Sequence, residues 1–194
     1  MQLQNKKTFM SAVFANLIFQ GLVAYQSAKT VIENPQYSDF MARNVLLNLL
    51  LLFGLFLTLV FVKMSLPVKF MIFTLISALI GAYISPQADA KESLLEVVGI
   101  FIALFVLGLL SVQFGLDFRP MGIFLFLALL ALLVSRLFSP DKKKYAKIGS
   151  LIFALFVVYD TNNILQKNYG GDFINASMDY FLDILNLFQY NTEE

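Results

Sequence analysis

The chain has 194 residues, of which 59% are hydrophobic and 14% are charged; an average soluble domain carries about 25% charge, so this composition describes a multi-pass membrane protein. It contains neither cysteine nor histidine. That excludes disulfides, thiolate nucleophiles and zinc-thiolate sites and removes the commonest general base, so any ion site has to be built from oxygen, which suits hard cations such as calcium. A net charge of +1 gives no case for nucleic acid as a partner.

A bilayer core takes about 20 helical residues to cross, and that measure predicts seven spans, near 9–28, 44–63, 67–86, 94–114, 120–138, 146–165 and 173–190. The expected fold is an all-α integral membrane bundle of seven helices, a single domain over 1–194 with no independent soluble part. Lys6 and Lys7 precede the first apolar stretch without a small-residue cleavage site, so it reads as an uncleaved span, and Asn191-Thr192-Glu193-Glu194 carries no retrieval or prenylation signal. The separators bear turn and charge signals: Glu33-Asn34-Pro35, Leu66-Pro67, Ser85-Pro86, Arg119-Pro120, Ser139-Pro140-Asp141 with the lysines at 142–147, and Gly170-Gly171-Asp172. Tyr25, Tyr83, Tyr145 and Tyr190 fall near span ends, as interfacial tyrosines do. With six of the fourteen basic residues on one side and eight on the other, charge does not fix the orientation. The last segment either crosses or re-enters.

Polar residues inside these spans carry the functional signal. Asn16 and Gln20 in the first span and Asn48 in the second read as interhelical hydrogen-bonding groups, and Glu96 as interfacial. Ser77 with Gly81, and Ser111 with Gly115, have small-xxx-small spacing for close helix packing. Three aspartates stand out: Asp160 in the sixth span, and Asp179 and Asp183 in the seventh. A carboxylate at membrane depth costs about 2.5 to 3.5 kcal/mol on the most lenient scale, so each needs a compensating role. Asn175, Asp179, Asp183 and Asn186 recur at spacings of 4, 4 and 3, which places them on one helical face.

Asp160 and Asp183 lie on consecutive helices joined by a short loop, and as neighbours they would share a proton and titrate together, serving as a pH sensor and, when deprotonated, as a calcium-binding pair. The competing reading gives each aspartate a hydrogen bond to a neighbouring helix and nothing more. Asn162, Asn175, Asp179 and Asn186 are auxiliary candidates. An intramembrane aspartyl protease is the enzymatic alternative, through Tyr159-Asp160, but its Gly-x-Gly-Asp partner motif is incomplete in Tyr169-Gly170-Gly171-Asp172 and no Pro-Ala-Leu follows. No catalytic residue and no cofactor are expected.

Three ordered motifs give the chain a resemblance. Asp117-Phe118-Arg119-Pro120-Met121-Gly122, Tyr159-Asp160-Thr161-Asn162 and Phe181-Leu182-Asp183-Ile184-Leu185-Asn186-Leu187-Phe188 resemble the transmembrane Bax-inhibitor-motif proteins, which include Lifeguard and Golgi anti-apoptotic branches and compact viral members. The resemblance is strong from Asp117 to Asn191 and weaker before it. It implies a seven-helix fold with the last helix central, a pH-sensitive calcium leak that restrains apoptosis, and a gate made by Asp160 and Asp183. It also implies membrane lipid and cell-death regulatory membrane proteins as partners, and a location in the ER or Golgi if the source is eukaryotic or viral, in the plasma membrane if bacterial. The chain departs from the pattern in three places: Asn162 replaces a glutamine, Asp179 replaces a neutral residue, and Arg43 stands at the edge of the second span rather than deep within it. The alternative function is a membrane interaction or structural protein that does not conduct.

Overall fold

A computed structural model of the chain describes residues 3–84, 90–138, 142–167 and 169–192. These form eight helices: α1 (Leu3–Glu33), α2 (Pro35–Arg43), α3 (Val45–Phe61), α4 (Leu66–Ile84), α5 (Ala90–Gln113), α6 (Met121–Phe138), α7 (Lys142–Gln166) and α8 (Phe173–Thr192). No strand occurs among the described residues. The turn at Ser85-Pro86, the Ser139-Pro140-Asp141 separator and the side chains of Glu96, Lys142, Lys143 and Tyr190 lie outside the described residues.

Three helices contain stretches long and apolar enough to cross a bilayer, Lys6–Glu33, Leu66–Tyr83 and Lys144–Gln166. Gly99–Gln113 and Met121–Arg136 are shorter apolar helices, and α2 with α3 forms a pair bent by 80°. Outward-facing Leu46, Leu50, Phe53 and Phe61 of α3 are exposed, as a lipid-facing surface requires.

The eighth helix is α2, where the sequence pattern places only a turn. Pro35 is tolerated in a first helical turn, whose amide hydrogens have no intrahelical partner in any case. Asn34 donates its side-chain amide to Thr30 O at 2.7 Å, and Asn44 at the other end donates its own to Phe40 O at 2.8 Å, so two asparagines bracket the short helix.

Two compact units divide the chain, one holding α1 to α4 with Asp172–Met178, the other holding α5, α6, α7 and the remainder of α8 from Asp179. In the first, α1 and α4 pack along their length, with Val13, Phe73 and Ile76 fully buried and the Phe19 and Phe70 rings 5.2 Å apart. Asn16 and Gln20 act as the interhelical groups their positions predict. Asn16 donates to Ser177 Oγ at 2.6 Å, while Gln20 donates to Asn16 Oδ1 at 3.2 Å and Thr74 Oγ1 at 3.3 Å. Asn48 reaches Met41 Sδ at 3.4 Å. Lys69, in the first turn of α4, pairs with Asp172, whose Oδ1 also accepts the Asn175 amide hydrogen at 3.2 Å. That ion pair fixes the start of α8 and was not anticipated, because the two residues lie 103 positions apart.

In the second unit α7 packs against both α5 and α6. Of the two small-xxx-small pairs, Ser77 with Gly81 sits at the α1–α4 contact: Ser77 is fully buried, and a side chain at Gly81 would strike the Ala24 backbone. The other pair is misassigned. Gly115 has open space around it and ends α5 at φ +74°, with Leu116 N–H bonded to Ser111 O at 2.9 Å and Gly115 N–H to Val112 O at 3.0 Å, a left-handed helix cap. The close approach in this unit falls about two turns earlier, where Gly108 meets Thr161.

Gly81→Val is therefore expected to wedge α1 from α4 and cost about 1 to 3 kcal/mol or more, as overpacking does. Gly54→Ala, which meets nothing within 4 Å, is expected to be neutral or to stabilise by up to about 1 kcal/mol. Thermal unfolding of both variants in one detergent checks the contrast.

Candidate functional site

Asp160 lies in the penultimate turn of α7, and Asp183 in the middle of α8. Both belong to the second unit and both are buried, at 9% and 4% exposure. Their carboxyl groups lie within hydrogen-bonding reach of each other. A hydrogen bond between two carboxyls needs a proton on one of them, so the closed contact holds one negative charge at most. Asp183 Oδ2 is buried with no hydrogen-bond partner among the described residues. A buried carboxyl oxygen left in that state is a lone pair available to a proton, a water or a cation.

Neighbouring side chains hold this geometry. Tyr180, one turn before Asp183, is fully buried and donates to Thr161 Oγ1 at 3.0 Å, while Thr161 donates to Val157 O at 2.8 Å. Phe101 and Phe105 of α5 meet the Tyr180 ring edge to face, at 5.4 and 6.1 Å. The pairs Asp160–Asp183 and Thr161–Tyr180 thus tie α7 to α8 at adjacent positions and fix their register. Tyr159 packs over Gly122, where any side chain would collide with its phenol. Tyr180 and Thr161 were not singled out in the sequence, because a tyrosine or threonine in an apolar run carries no charge cost to flag it.

Asp179 is half-buried and accepts a hydrogen bond from Tyr169 Oη at 3.3 Å. Tyr169 sits in the α7–α8 connection with Lys167 Nζ 5.1 Å from its ring centre. Burial, and then the nearby charge of Asp179, push the Tyr169 phenol above its usual range, so it remains a donor.

Asn162 is fully buried and all its hydrogen-bonding capacity is used, half of it on the α5–α6 connection. It accepts from Phe118 N–H at 2.9 Å and Gln166 Nε2 at 2.7 Å, and donates to Ser111 Oγ at 2.8 Å and Leu116 O at 2.9 Å. Arg119 completes this turn with a two-pronged bond to Asp117 and holds that carboxyl down at about 2. Asn162 therefore positions a loop. Asn186 donates to Leu182 O at 2.8 Å within its own helix, and Asn175 belongs to the first unit, beside Lys69. Arg43 is an exposed residue at the end of α2.

As a calcium ligand set the pair alone is sparse. Calcium takes about six to eight oxygens, and two carboxyls supply four at most. Among the described residues no group of three or more Asp, Glu, His or Cys side chains is arranged to hold a metal. Asp160 and Asp183 by themselves supply too few oxygens to enclose a resident calcium ion.

Apolar helices, a lipid-facing surface and a carboxylate pair buried between two of the helices define a helical membrane protein with an ionisable interior site. Residues 6–190 match the family described as Inhibitor of apoptosis-promoting Bax1, and the chain belongs to that Bax-inhibitor family. It is 30% identical over 200 residues to Bax inhibitor 1 of Schizosaccharomyces pombe, covering 94% of this chain and 74% of that protein. Identity to Protein LIFEGUARD 3 of Arabidopsis thaliana is 29% over 202 residues, covering 94% and 81%. A Golgi anti-apoptotic protein of vaccinia virus is 33% identical over 84 residues, 40% of this chain and 35% of that one.

Asn162→Ala is expected to strand the Phe118 amide, while Leu116 O keeps its bond from Gln166 Nε2 at 3.0 Å, and so to lower stability by about 1 to 3 kcal/mol, the cost of one unsatisfied buried group. Asn162→Gln should recover part of the loss. Thermal unfolding of the three proteins checks the order.

Proposed function

We propose that the chain is a calcium leak pathway whose gate is the Asp160–Asp183 pair, within a seven-span arrangement formed by α1 and α3 to α8 with α8 at its centre. One observation carries this reading: two buried carboxyls facing each other, with one oxygen of Asp183 that takes no hydrogen bond from any amide, hydroxyl or ammonium among the described residues and so is left to a shared proton, a water or a cation. A purely structural pair would be expected to have its lone pairs used, as those of Asn162 are. When the pair holds a proton the carboxyls bind each other and hold α7 against α8. When the proton leaves, mutual repulsion weakens that contact and presents two carboxylates to a cation. A half-filled oxygen set suits conduction, in which an ion must enter and also leave.

The names of the relatives support a role in restraining cell death; calcium release as the quantity controlled, and cell-death regulatory membrane proteins as partners, are further parts of the proposal. The chain is read as non-enzymatic. Asp172, the partner an aspartyl protease would draw from the Gly170-Gly171-Asp172 segment, is engaged by Lys69. The alternative is a membrane interaction protein that does not conduct. Calcium flux into proteoliposomes containing the purified chain separates the two, and absence of flux at any pH would establish the alternative.

Asp160→Asn and Asp183→Asn are each expected to leave the protein folded, because an amide keeps the size and a hydrogen-bonding oxygen, while abolishing the pH dependence of calcium flux. The same flux assay over a pH series reads this out, and wild-type profiles in both variants would contradict it.

Calcium affinity is expected to fall as pH drops from about 8 to about 6, because protonation removes the charge and lone pairs a hard cation needs, and bound calcium should release protons. Asp179→Asn should change this less than either pair variant, since Asp179 is turned to Tyr169. Titration calorimetry at several pH values tests the sign. Affinity that is flat or rises with acidity would count against the pair as a cation site.

A further inference from the structure

The first unit contains a cavity of about 460 Å³ walled by α1, α2 and one residue of α4, within the range of about 300 to 1,000 Å³ typical of ligand sites. Its α1 wall runs along a single helical face from Val23 through Ser27 to Val31, and Ala78 is the α4 contribution. Tyr37, Phe40 and Met41 close it from α2. Those three, at spacings of 3 and 1, are one face of the short helix, while Gln36, Ser38, Asp39 and Arg43 are the polar residues around it. We infer that this cavity is a lipid site: the acyl chain of a bilayer phospholipid lies between α1 and α2, and α2 rests in the headgroup layer above it.

Most of the cavity wall is apolar, and two of its polar groups are already bonded. The Ser27 hydroxyl donates to Ala78 O at 2.7 Å and the Thr30 hydroxyl to Gln26 O at 2.8 Å, so both are consumed by backbone carbonyls and turn their carbon atoms to the space. What remains is mainly valine, alanine, methionine and aromatic carbon, with the Gln26 amide and the Tyr37 hydroxyl as the other polar groups of the wall, a lining weighted towards a hydrocarbon chain.

Position in the fold points to the bilayer interface. α1 has 31 residues; at about 1.5 Å per residue it measures roughly 46 Å, well beyond the hydrocarbon core of about 30 Å, so its ends emerge among the headgroups. Lys29 and Glu33, an exposed ion pair at 3.8 Å, mark the emerging end. α2 follows it directly and then breaks by 80° into the apolar α3, the geometry of a helix lying in the membrane plane before the chain enters it. No residue of α2 is buried, and Tyr37 and Phe40 are 56% and 55% exposed. Aromatic residues so placed on a helix of balanced charge belong at the depth where rings meet headgroups. Arg43, in its last turn, makes no ion pair among the described residues and would face a lipid phosphate.

The site can be tested in nanodiscs of phosphatidylcholine with a minority of phosphatidylglycerol, which contain no detergent to compete. The chain has no tryptophan, so Phe40→Trp introduces a single tryptophan, excited selectively at wavelengths where the eight tyrosines do not absorb. Its emission is expected to be quenched by lipids brominated high on the acyl chain and shielded from aqueous iodide, corresponding to a depth of about 5 to 10 Å below the headgroups. A phosphatidylcholine with a photoreactive acyl chain is expected to label the α1 and α2 walls severalfold more than the outer face of α3. Val23→Phe and Ala78→Phe, which fill the cavity from opposite sides, should each abolish that excess while labelling of α3 persists. Using both guards against one variant misfolding, and thermal unfolding identifies which is intact. Labelling of α1 and α2 at the α3 level, labelling unchanged in an intact filled variant, or free quenching of the Phe40→Trp fluorescence by iodide would overturn the inference. So would crosslinking of Phe40→Trp protein to a second copy through α2, which would make the face a dimer contact.

Discussion

The Asp160–Asp183 contact is the interaction on which the second unit depends, because it places two groups that water would solvate well where there is no water to do so. Two carboxylates at that depth repel each other and neither is hydrated; two carboxylic acids waste a strong acceptor. The stable arrangement is one proton between them, and it is stable only if α7 and α8 are held in register. The surrounding structure supplies that register through the Tyr180–Thr161 hydrogen bond, the two phenylalanines bracketing Tyr180, and Gly108, whose missing side chain lets α5 close on Thr161. The carboxylate pair is thus an ionisable contact set among neutral ones.

Satisfaction elsewhere makes the pair conspicuous. Asn162 uses both amide hydrogens and accepts twice at its oxygen, Lys69 engages Asp172, and the serine and threonine hydroxyls of α1 and α4 turn back onto helical carbonyls. In a medium that offers no replacement hydrogen bonds, such closure is expected throughout a membrane protein. Gln20 Oε1 and Asp183 Oδ2 are the buried side-chain atoms that lack it among the described residues. Only the second belongs to an ionisable group facing another, which is why function is read from it and not from the amide.

The two units use polar groups differently. In the first, Asn16, Gln20, Thr74 and Ser177 form a neutral chain of hydrogen bonds across α1, α4 and the start of α8. Neutral groups make contacts that do not change with pH, a fitting property for a frame. In the second, neutral bonds of Asn162 and Tyr180 stand beside one contact, Asp160–Asp183, that runs through two carboxyls, whose protonation alters both charge and donor count. The bent α2–α3 pair adds a third element, in which a short unburied amphipathic helix leads into a long apolar one.

Sequence alone determined the helical membrane character, because the absence of charge over stretches of about 20 residues has few other physical explanations. It also determined the two aspartates of the site and the family, because a carboxylate in an apolar run is costly enough to stand out and because the Tyr-Asp-Thr and Leu-Asp-Ile motifs lie in fixed order. Asn16 and Gln20 were legible as interhelical groups for the same reason. The tertiary structure decided which polar residues meet. It gave Asn162 to a loop, Asp179 to Tyr169 and Asn175 to Lys69, although their spacing along α8 made Asn175, Asp179 and Asp183 look equivalent. It also moved the close packing from Gly115 to Gly108 and turned the Glu33-Asn34-Pro35 separator into the start of a helix. Periodicity reports which face a residue occupies, but the partner on that face comes from another part of the chain, as far off as the 161 residues between Asn16 and Ser177. Only the packed helices contain that information.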